Sequence, residues 1–336
     1  MTRAAVICGL GGWLPPRVVT NDDLPAGLGT SDRWIRTRTG ITRRHRADPG
    51  SATSDLAVEA GARALASSGE PRADAVVLAT TTPDRICPAT APEIATRLGL
   101  TGAAAFDMNA ACTGFLYGLA AAAGLIATGA ADRVLLIGAE TYSCLLDPLD
   151  RGTAPIFGDG AGAVVLRAGA PGEPGAIGHI DLGSDGTGAD LIAVGGGGSR
   201  QRMSGRPEQD GERYLTMAGR EVFKHAVGRM ADSCRTVLKR AGQEPADVDR
   251  IVAHQANIRI LHQLADELGV DRGRVVANID RVGNTAAASV PLALFHGVAD
   301  GAVRPGQRTL LTAFGAGLTW GSTLLTWPEL AVATGE

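Results

Sequence analysis

The segment Asn109-Ala110-Ala111-Cys112-Thr113-Gly114-Phe115 constrains this chain more than any other. It follows the apolar run Ala103–Met108, which reads as a buried strand. It opens an Ala/Gly/Leu-rich stretch, to about Thr128, that reads as a buried helix. Cys112 then lies on a first helical turn, where free backbone N–H groups and the positive end of the helix dipole converge. That setting predicts a lowered thiol pKa. The small neighbours Ala110, Ala111, Thr113 and Gly114 would let a substrate carbonyl approach. From this segment alone two readings stay open: a nucleophile that carries an acyl group as a thioester, or a buried structural cysteine.

Two further junctions bear on that choice. In Val252-Ala253-His254-Gln255-Ala256-Asn257-Ile258-Arg259 a strand from Arg250 ends at His254, placing its side chain at the strand's exit. Asn257 then starts a helix with Ile258, Leu261 and Leu264 on its apolar face. In Val282-Gly283-Asn284-Thr285-Ala286-Ala287-Ala288-Ser289-Val290-Pro291, Asn284 follows a glycine turn and starts another small-residue helix. A lone His or Asn is ordinarily a satisfied structural group. A Cys, a His and an Asn, each at a Gly/Ala-rich strand-to-helix junction, point together to nucleophilic chemistry.

Composition removes several classes of function. A formal net charge of −3 and the lack of a basic run argue against nucleic-acid binding and against a membrane surface. No apolar stretch is read as approaching the ~20 residues of a membrane span. The start, Met1-Thr2-Arg3-Ala4-Ala5-Val6-Ile7, turns directly into strand pattern without a signal-peptide hydrophobic region. Cys8, Cys87, Cys112, Cys144 and Cys234 are scattered and form no CxxC pair, against a metal site or a disulfide framework. A reducing, cytoplasmic location is expected. With 45% hydrophobic residues and 46 glycines but few aromatics, the chain suits closely packed layers of helix and sheet.

Strands are predicted at Ala4–Leu10, Ala75–Thr80, Ala103–Met108, Arg133–Ile137, Ala161–Leu166, Ile177–Gly183, Arg250–Ala253, Val275–Asn278, Thr309–Phe314 and Thr319–Leu325. Helices are predicted at Ser54–Ser67, Ala91–Leu98, Cys112–Thr128, Gly219–Ala241, Asn257–Leu268 and Asn284–Ala299. The alternation argues an α/β architecture with largely covered sheets. Ser199–Gly211 reads as a surface loop. Gly195–Gly198 lacks the Lys and Ser/Thr of a phosphate loop. The two halves share a plan rather than a sequence, with Cys112 placed in the first where His254–Asn257 lies in the second.

These junctions resemble the type III β-ketoacyl-acyl carrier protein synthases, within the thiolase fold. So do Trp34-Ile35-Arg36-Thr37-Arg38-Thr39-Gly40-Ile41, Asp150-Arg151-Gly152-Thr153, Phe157-Gly158-Asp159-Gly160-Ala161-Gly162-Ala163 and Ala313-Phe314-Gly315-Ala316-Gly317-Leu318-Thr319-Trp320-Gly321. The resemblance covers nearly the whole chain. It implies a five-layer αβαβα sandwich of two similar halves, residues 1–170 with the Cys and 171–336 with the His and Asn. Chain-elongating relatives use two histidines where this chain offers His and Asn.

The resemblance also implies a chemistry. Cys112 would take an acyl group from coenzyme A, with the backbone N–H groups of Cys112 and Ala316 as the oxyanion hole. Many relatives carry glycine at the position of Ala316. Malonyl-acyl carrier protein would then lose carbon dioxide, His254 Nε2–H and the Asn284 side-chain NH2 donating to the enolate oxygen. Phe314 would crowd the malonyl carboxylate with an apolar face. Trp34 and Arg151 would sandwich the adenine of coenzyme A, with Gly152 beside them and Arg38 and Thr39 lining the same mouth. Asn257 and Gly219 or its neighbours would border the pantetheine tunnel, and Lys224 and Arg259 would receive the acidic carrier protein. No cofactor is implied, coenzyme A thioester being a substrate. A homodimer is implied, in which the loop Arg85-Ile86-Cys87-Pro88 closes the partner's acyl pocket.

Two departures bear on the primer. Cys87 stands where several short-chain relatives have Phe, which would open the pocket. Tyr142 stands where an aliphatic residue is common, which would shorten the pocket or add a polar tip. A short primer, acetyl or a small branched acyl, is favoured. Abundant Ala, Gly and Arg suggest a GC-rich, actinobacterial-type genome. There, such enzymes prime fatty acid, type II polyketide or prodiginine-like assembly. One alternative is an acyltransferase of this fold that forms an ester or thioester without decarboxylation; such relatives tend to lose the Asn kept here as Asn284. Another is a silent chain-length partner subunit, which would lack Cys112.

Overall fold

A computed structural model describes residues 3–332; Met1, Thr2 and residues 333–336, at the ends of the two expected halves, lie outside the described residues. Strands β1 (Ala4–Trp13), β2 (Ala75–Ala79), β3 (Ala104–Met108), β4 (Arg133–Glu140) and β5 (Gly160–Gly169) form one sheet in the order β1-β5-β4-β2-β3. β2 and β4 are buried along their whole length, and their near-continuous apolar runs are what a strand covered on both faces requires. β3 is an edge strand with alternating exposure, and its Phe106 lies open to solvent. Helices α1 (Thr53–Ser67) and α2 (Ala91–Arg97) cover the outer face, and α3 (Gly114–Thr128) lies on the inner one.

The second sheet joins β6 (Ile180–Ser184), β7 (Arg250–Ala253), β8 (Arg308–Gly315) and β9 (Thr319–Thr326) in the order β7-β8-β9-β6. Helices α4 (Gly219–Arg240) and α5 (Ile258–Leu268) cover its outer face, and α6 (Ser289–Ala299) its inner one. Both α3 and α6 touch both sheets, so the molecule is a five-layer αβαβα sandwich. α3 and the turn before it correct one expectation. Ala111–Thr128, with mean hydropathy 1.6, is long and apolar enough by composition to cross a membrane. Its position between two sheets accounts for that apolarity.

The halves match strand for strand. β6, β9, β8 and β7 repeat the order and directions of β1, β5, β4 and β2. Where β3 pairs in parallel with β2, the predicted strand Val275–Asn278 is reduced to one parallel bridge, Ile251 to Val275. This correspondence moves the expected counterpart of Cys112. The segment after β7, with His254, matches the segment after β2, with Thr80. The junction at Cys112 matches the one at Asn284 instead. Elements not read from the sequence include the helix Asp32–Thr39, the ladder Arg17–Thr20 with Arg43–Arg46, and the short pair Ile192–Val194 with Leu215–Met217. The expected loop Ser199–Gly211 begins with the exposed helix Ser199–Met203.

Candidate active site

Two turns of the same shape meet between the sheets. After β3, Asn109 Oδ1 accepts the Ala111 N–H at 3.0 Å, Ala111 takes φ +47°, and a 3-10 turn Ala111–Thr113 precedes α3. After the bridge at Val275, Asn284 Oδ1 accepts the Ala286 N–H at 2.9 Å, Ala286 takes φ +44°, and a 3-10 turn Ala286–Ala288 precedes α6. A left-handed alanine is uncommon and needs such support. Both helices therefore begin later than predicted, and Cys112 stands at the place matched by Ala287 in the other half.

The Asn284 backbone is fixed by Phe157's neighbours. Its N–H donates to Ile156 O at 2.9 Å and its C=O accepts from Gly158 N–H at 3.0 Å. With Oδ1 engaged, Nδ2 is left as the donor facing the cavity. His254 leaves β7 with its N–H on Thr312 O at 2.9 Å. Its ring is buried and Nδ1 has no protein partner among the described residues, so Nε2 is the nitrogen with access to the cavity. Burial alone pulls the His254 pKa down to about 3, so the ring is neutral and can present an N–H.

Cys112 overturns its own expectation. Burial first, and the Glu140 carboxylate second, push the thiol up to about 12, while its own N–H acts weakly the other way. Desolvation is the largest cause, as apolar walls dictate. Cys112, His254, Asn284 and Phe314 share one cavity of ≈ 450 Å³, counted out to its mouth. Its remaining walls include Tyr142, Phe157, Met217, Val222 and Met230. Tyr142 stacks on Phe157 with ring centroids 4.5 Å apart and 14° between planes. Gly315 follows Phe314, and a Cβ there would fall 2.8 Å from Cys112 N, so only glycine lets the two segments approach. Ala316 sits just beyond, in the hairpin loop. The Thr319 hydroxyl is within 3.0 Å of Ala316 O and 3.2 Å of Ala110 O, tying that loop to the Cys112 turn.

The other predicted residues divide. Trp34 is half-buried on the helix Asp32–Thr39, and both Arg38 (4.5 Å) and Arg151 (4.8 Å) hold their guanidinium carbons near its ring centroid. A flat ring inserted between Trp34 and Arg151 needs about 7 Å, two contact distances, so Arg151 must swing aside to sandwich one. Gly152 belongs to the turn presenting Arg151, its N–H on Asp150 Oδ1 at 2.8 Å. Thr39 does not line a mouth. It is buried, with its hydroxyl spent on Ile35 O at 2.7 Å, because it closes a helix end. Asn257 caps α5 through Oδ1 on the Arg259 N–H at 2.9 Å. Gly219 is exposed at the start of α4; Met217 and Val222, on either side of it, line the cavity instead. Lys224 and Arg259 are exposed, the latter 5.9 Å from the Phe223 ring. Cys87 is exposed and touches no part of the cavity within its own chain.

Two buried polar residues escaped sequence reasoning. Glu140 ends β4, and burial raises its pKa to about 7 against the hydrogen bonds that lower it. Its signal was an acidic residue closing an apolar run. Gln255, beside His254, donates to Ala253 O and Val276 O and accepts from Asn278 N–H, while its own N–H donates to Ser289 Oγ at 2.7 Å. Among the described residues no cluster of three or more His, Cys, Asp or Glu could hold a metal ion.

Models described as 3-oxoacyl-acyl-carrier-protein (ACP) synthase III, and as the C terminal of the same, match residues 106–186 and 238–327. The beta-ketoacyl-(acyl-carrier-protein) synthase III 3 of Streptomyces coelicolor is 60% identical over 98% of this chain and 99% of its own length. The crystal structure of 3-oxoacyl-(acyl carrier protein) synthase III from Pseudomonas aeruginosa superposes with TM-score 0.91 at 53% identity, covering 98% of this chain and 100% of that one. That of a priming beta-ketosynthase from a polyketide biosynthetic pathway gives 0.90 at 36% identity, covering 98% of each.

Proposed function

The chain belongs to the 3-oxoacyl-(acyl carrier protein) synthase III family, and from that premise we propose that it is a condensing acyltransferase. It joins the acyl group of a coenzyme A thioester to malonyl-acyl carrier protein, releasing coenzyme A and carbon dioxide. The product is a β-ketoacyl-acyl carrier protein. The observation that carries this reading is the convergence of Cys112, His254 and Asn284 on one apolar cavity.

In the first half-reaction Cys112 Sγ attacks the thioester carbonyl. The thiol's proton leaves with the coenzyme A sulfur, so no charge is created overall. The oxyanion takes hydrogen bonds from the N–H groups of Cys112 and Ala316; the tie through Thr319 supports that pairing. In the second half-reaction the malonyl carboxylate lies against Phe314, where loss of neutral carbon dioxide is favoured over a desolvated charge. The enolate oxygen accepts from His254 Nε2–H and Asn284 Nδ2–H. Its carbon attacks the acyl-Cys112 carbonyl, and the departing sulfur regains a proton from solution.

We assign the adenine of coenzyme A to Trp34, Arg38 and Arg151 with the Gly152 turn, and the pantetheine arm to the neighbourhood of Asn257. The acidic carrier protein falls to Lys224 and Arg259. The stacked Tyr142–Phe157 wall supports a short primer, acetyl or small branched acyl. The priming relative supports a role at the start of fatty acid or polyketide assembly. Five free cysteines suit a cytoplasmic enzyme, and the chemistry calls for no resident cofactor. The deciding experiment incubates wild type and Cys112→Ala with radiolabelled acetyl-coenzyme A and follows carbon dioxide release from malonyl-acyl carrier protein. Label on wild type alone, with release, is expected. Equal labelling of both proteins overturns the assignment.

A further inference from the structure

Gln255 is wholly buried one residue beyond His254, and the condensation as derived makes no use of it. Its side chain is engaged at both ends. Nε2 donates to Ala253 O at 2.8 Å and to Val276 O at 3.0 Å, while Oε1 accepts from Asn278 N–H at 3.1 Å. Its own N–H donates to Ser289 Oγ at 2.7 Å. Asn278 and Ser289, both buried, flank the segment that carries Asn284. The Asn278 carbonyl accepts from the N–H groups of Arg281 and Val282, and so starts the short helix Ile279–Val282 that leads to Gly283 and Asn284. Ser289 opens α6 directly after the turn Ala286–Ala288. Asn284 itself is anchored on the first half, through Ile156 O and Gly158 N–H, whereas His254 leaves β7 held by Thr312 O. Gln255 therefore ties both flanks of one enolate donor to the strand exit that presents the other. The hydrogen bonds that hold the Cys112 turn run instead to Asn109 and Thr319.

We propose that Gln255 is a positioning residue that sets the separation of His254 Nε2 from Asn284 Nδ2, and with it the geometry in which both donate to the enolate oxygen. This rests on the condensing-enzyme reading. Only a group that donates at one end and accepts at the other meets the two carbonyls and the N–H around this side chain. Gln255→Met keeps its length but gives up all three side-chain bonds, leaving the buried Asn278 N–H without its acceptor. Ser289→Ala leaves that side chain in place and removes only the main-chain tie to α6. Both changes loosen the two donors relative to each other and leave the bonds of the Cys112 turn intact.

Two measurements test this: the extent of acyl-enzyme formed from saturating radiolabelled acetyl-coenzyme A, and condensation kcat with malonyl-acyl carrier protein. For Gln255→Met, kcat should fall by ~10-fold to 10²-fold, the scale of a small misplacement of a reacting group, and for Ser289→Ala by about 10-fold. Both variants should be acylated to the wild-type extent. Each is then combined with Asn284→Ala. Once the second donor is gone its separation from the first no longer matters, so the added loss should shrink to about threefold or less. A role confined to holding the fold together would cost the same with and without the Asn284 side chain. Should Gln255→Met fail to fold, Ser289→Ala carries the test by the same criteria. Wild-type condensation in either single variant overturns the proposal. So does a loss of the same size in the Asn284→Ala background, or a fall in labelling that matches the fall in condensation. Wild type that neither acylates nor condenses would instead overturn the condensing-enzyme reading.

Discussion

Burial sets the chemistry of each side chain in this site more than its place on a helix does. A cysteine near a helix start should be acidic, yet the Cys112 thiol is pushed up to about 12 because its surroundings are apolar and Glu140 is near. The thiolate fraction then rises about tenfold with each pH unit up to that value, without a plateau near neutrality. Alkylation of Cys112 should accordingly climb steadily between about pH 7 and 10. A plateau below about pH 8.5 would mean that the helix N-terminus wins after all. His254 and Asn284 keep their charge-neutral donors at neutral pH, the former because its pKa is pulled to about 3. His254→Ala and Asn284→Ala should still form acyl-enzyme but lose condensation by ~10²-fold or more, as when an oxyanion donor is removed. Failure of acylation with decarboxylation intact would reverse these roles. All three residues were legible in the sequence because each stood at a strand-to-helix junction among small residues. Glu140 and Gln255 were not, since their partners include backbone groups far away in sequence, such as the Thr81 N–H and Val276 O.

Among the elements, the turn before α3 depends most on its neighbours. Gly315, at the end of β8, packs so closely that an added Cβ would lie 2.8 Å from Cys112 N and 3.0 Å from Thr113 N. Both contacts are to backbone, which cannot rotate away. Gly315→Ala should therefore shift the turn that holds Cys112 and slow acylation by ~10²-fold, the cost of about 1 Å of misplacement. A burst assay with acetyl-coenzyme A checks this, and a wild-type burst would show that the turn tolerates displacement. Long apolar strands and the outer amphipathic helices were readable from periodicity, within one or two residues for α1, α2 and α4. The helix Asp32–Thr39 was hidden because its only large buried apolar side chain is Ile35. The strand Arg43–Arg46 was hidden by its charges. Arg44 is wholly buried there, its two terminal nitrogens donating to Val19 O, Asn21 Oδ1 and Pro155 O while its Nε has no partner among the described residues.

Across the whole molecule, matched positions in the two halves carry different chemistry. Cys112 corresponds to Ala287, Glu140 to Phe314 and His254 to Thr80, so the duplication survives in strand order and turn shape rather than in residue identity. That is why the sequence showed a shared plan but misplaced the counterpart of Cys112. One feature of the first sheet has no counterpart in closure: β3 ends it with an unpaired edge and an exposed Phe106, while the adjoining loop exposes Ile86 and Cys87. An unpaired apolar edge invites a second strand, and a two-fold axis there would pair β3 with its own copy. Light scattering should give a dimer. In it, the Cys87 loop of one subunit would reach the acyl pocket of the other, beside the stacked Tyr142 and Phe157. Cys87→Phe should then narrow the partner's pocket and shift kcat/KM towards acetyl over branched primers by roughly 10-fold, the scale of a methylene or two of lost space. A fully active monomer, or a primer profile unchanged by Cys87→Phe, would place both the dimer edge and the acyl pocket elsewhere.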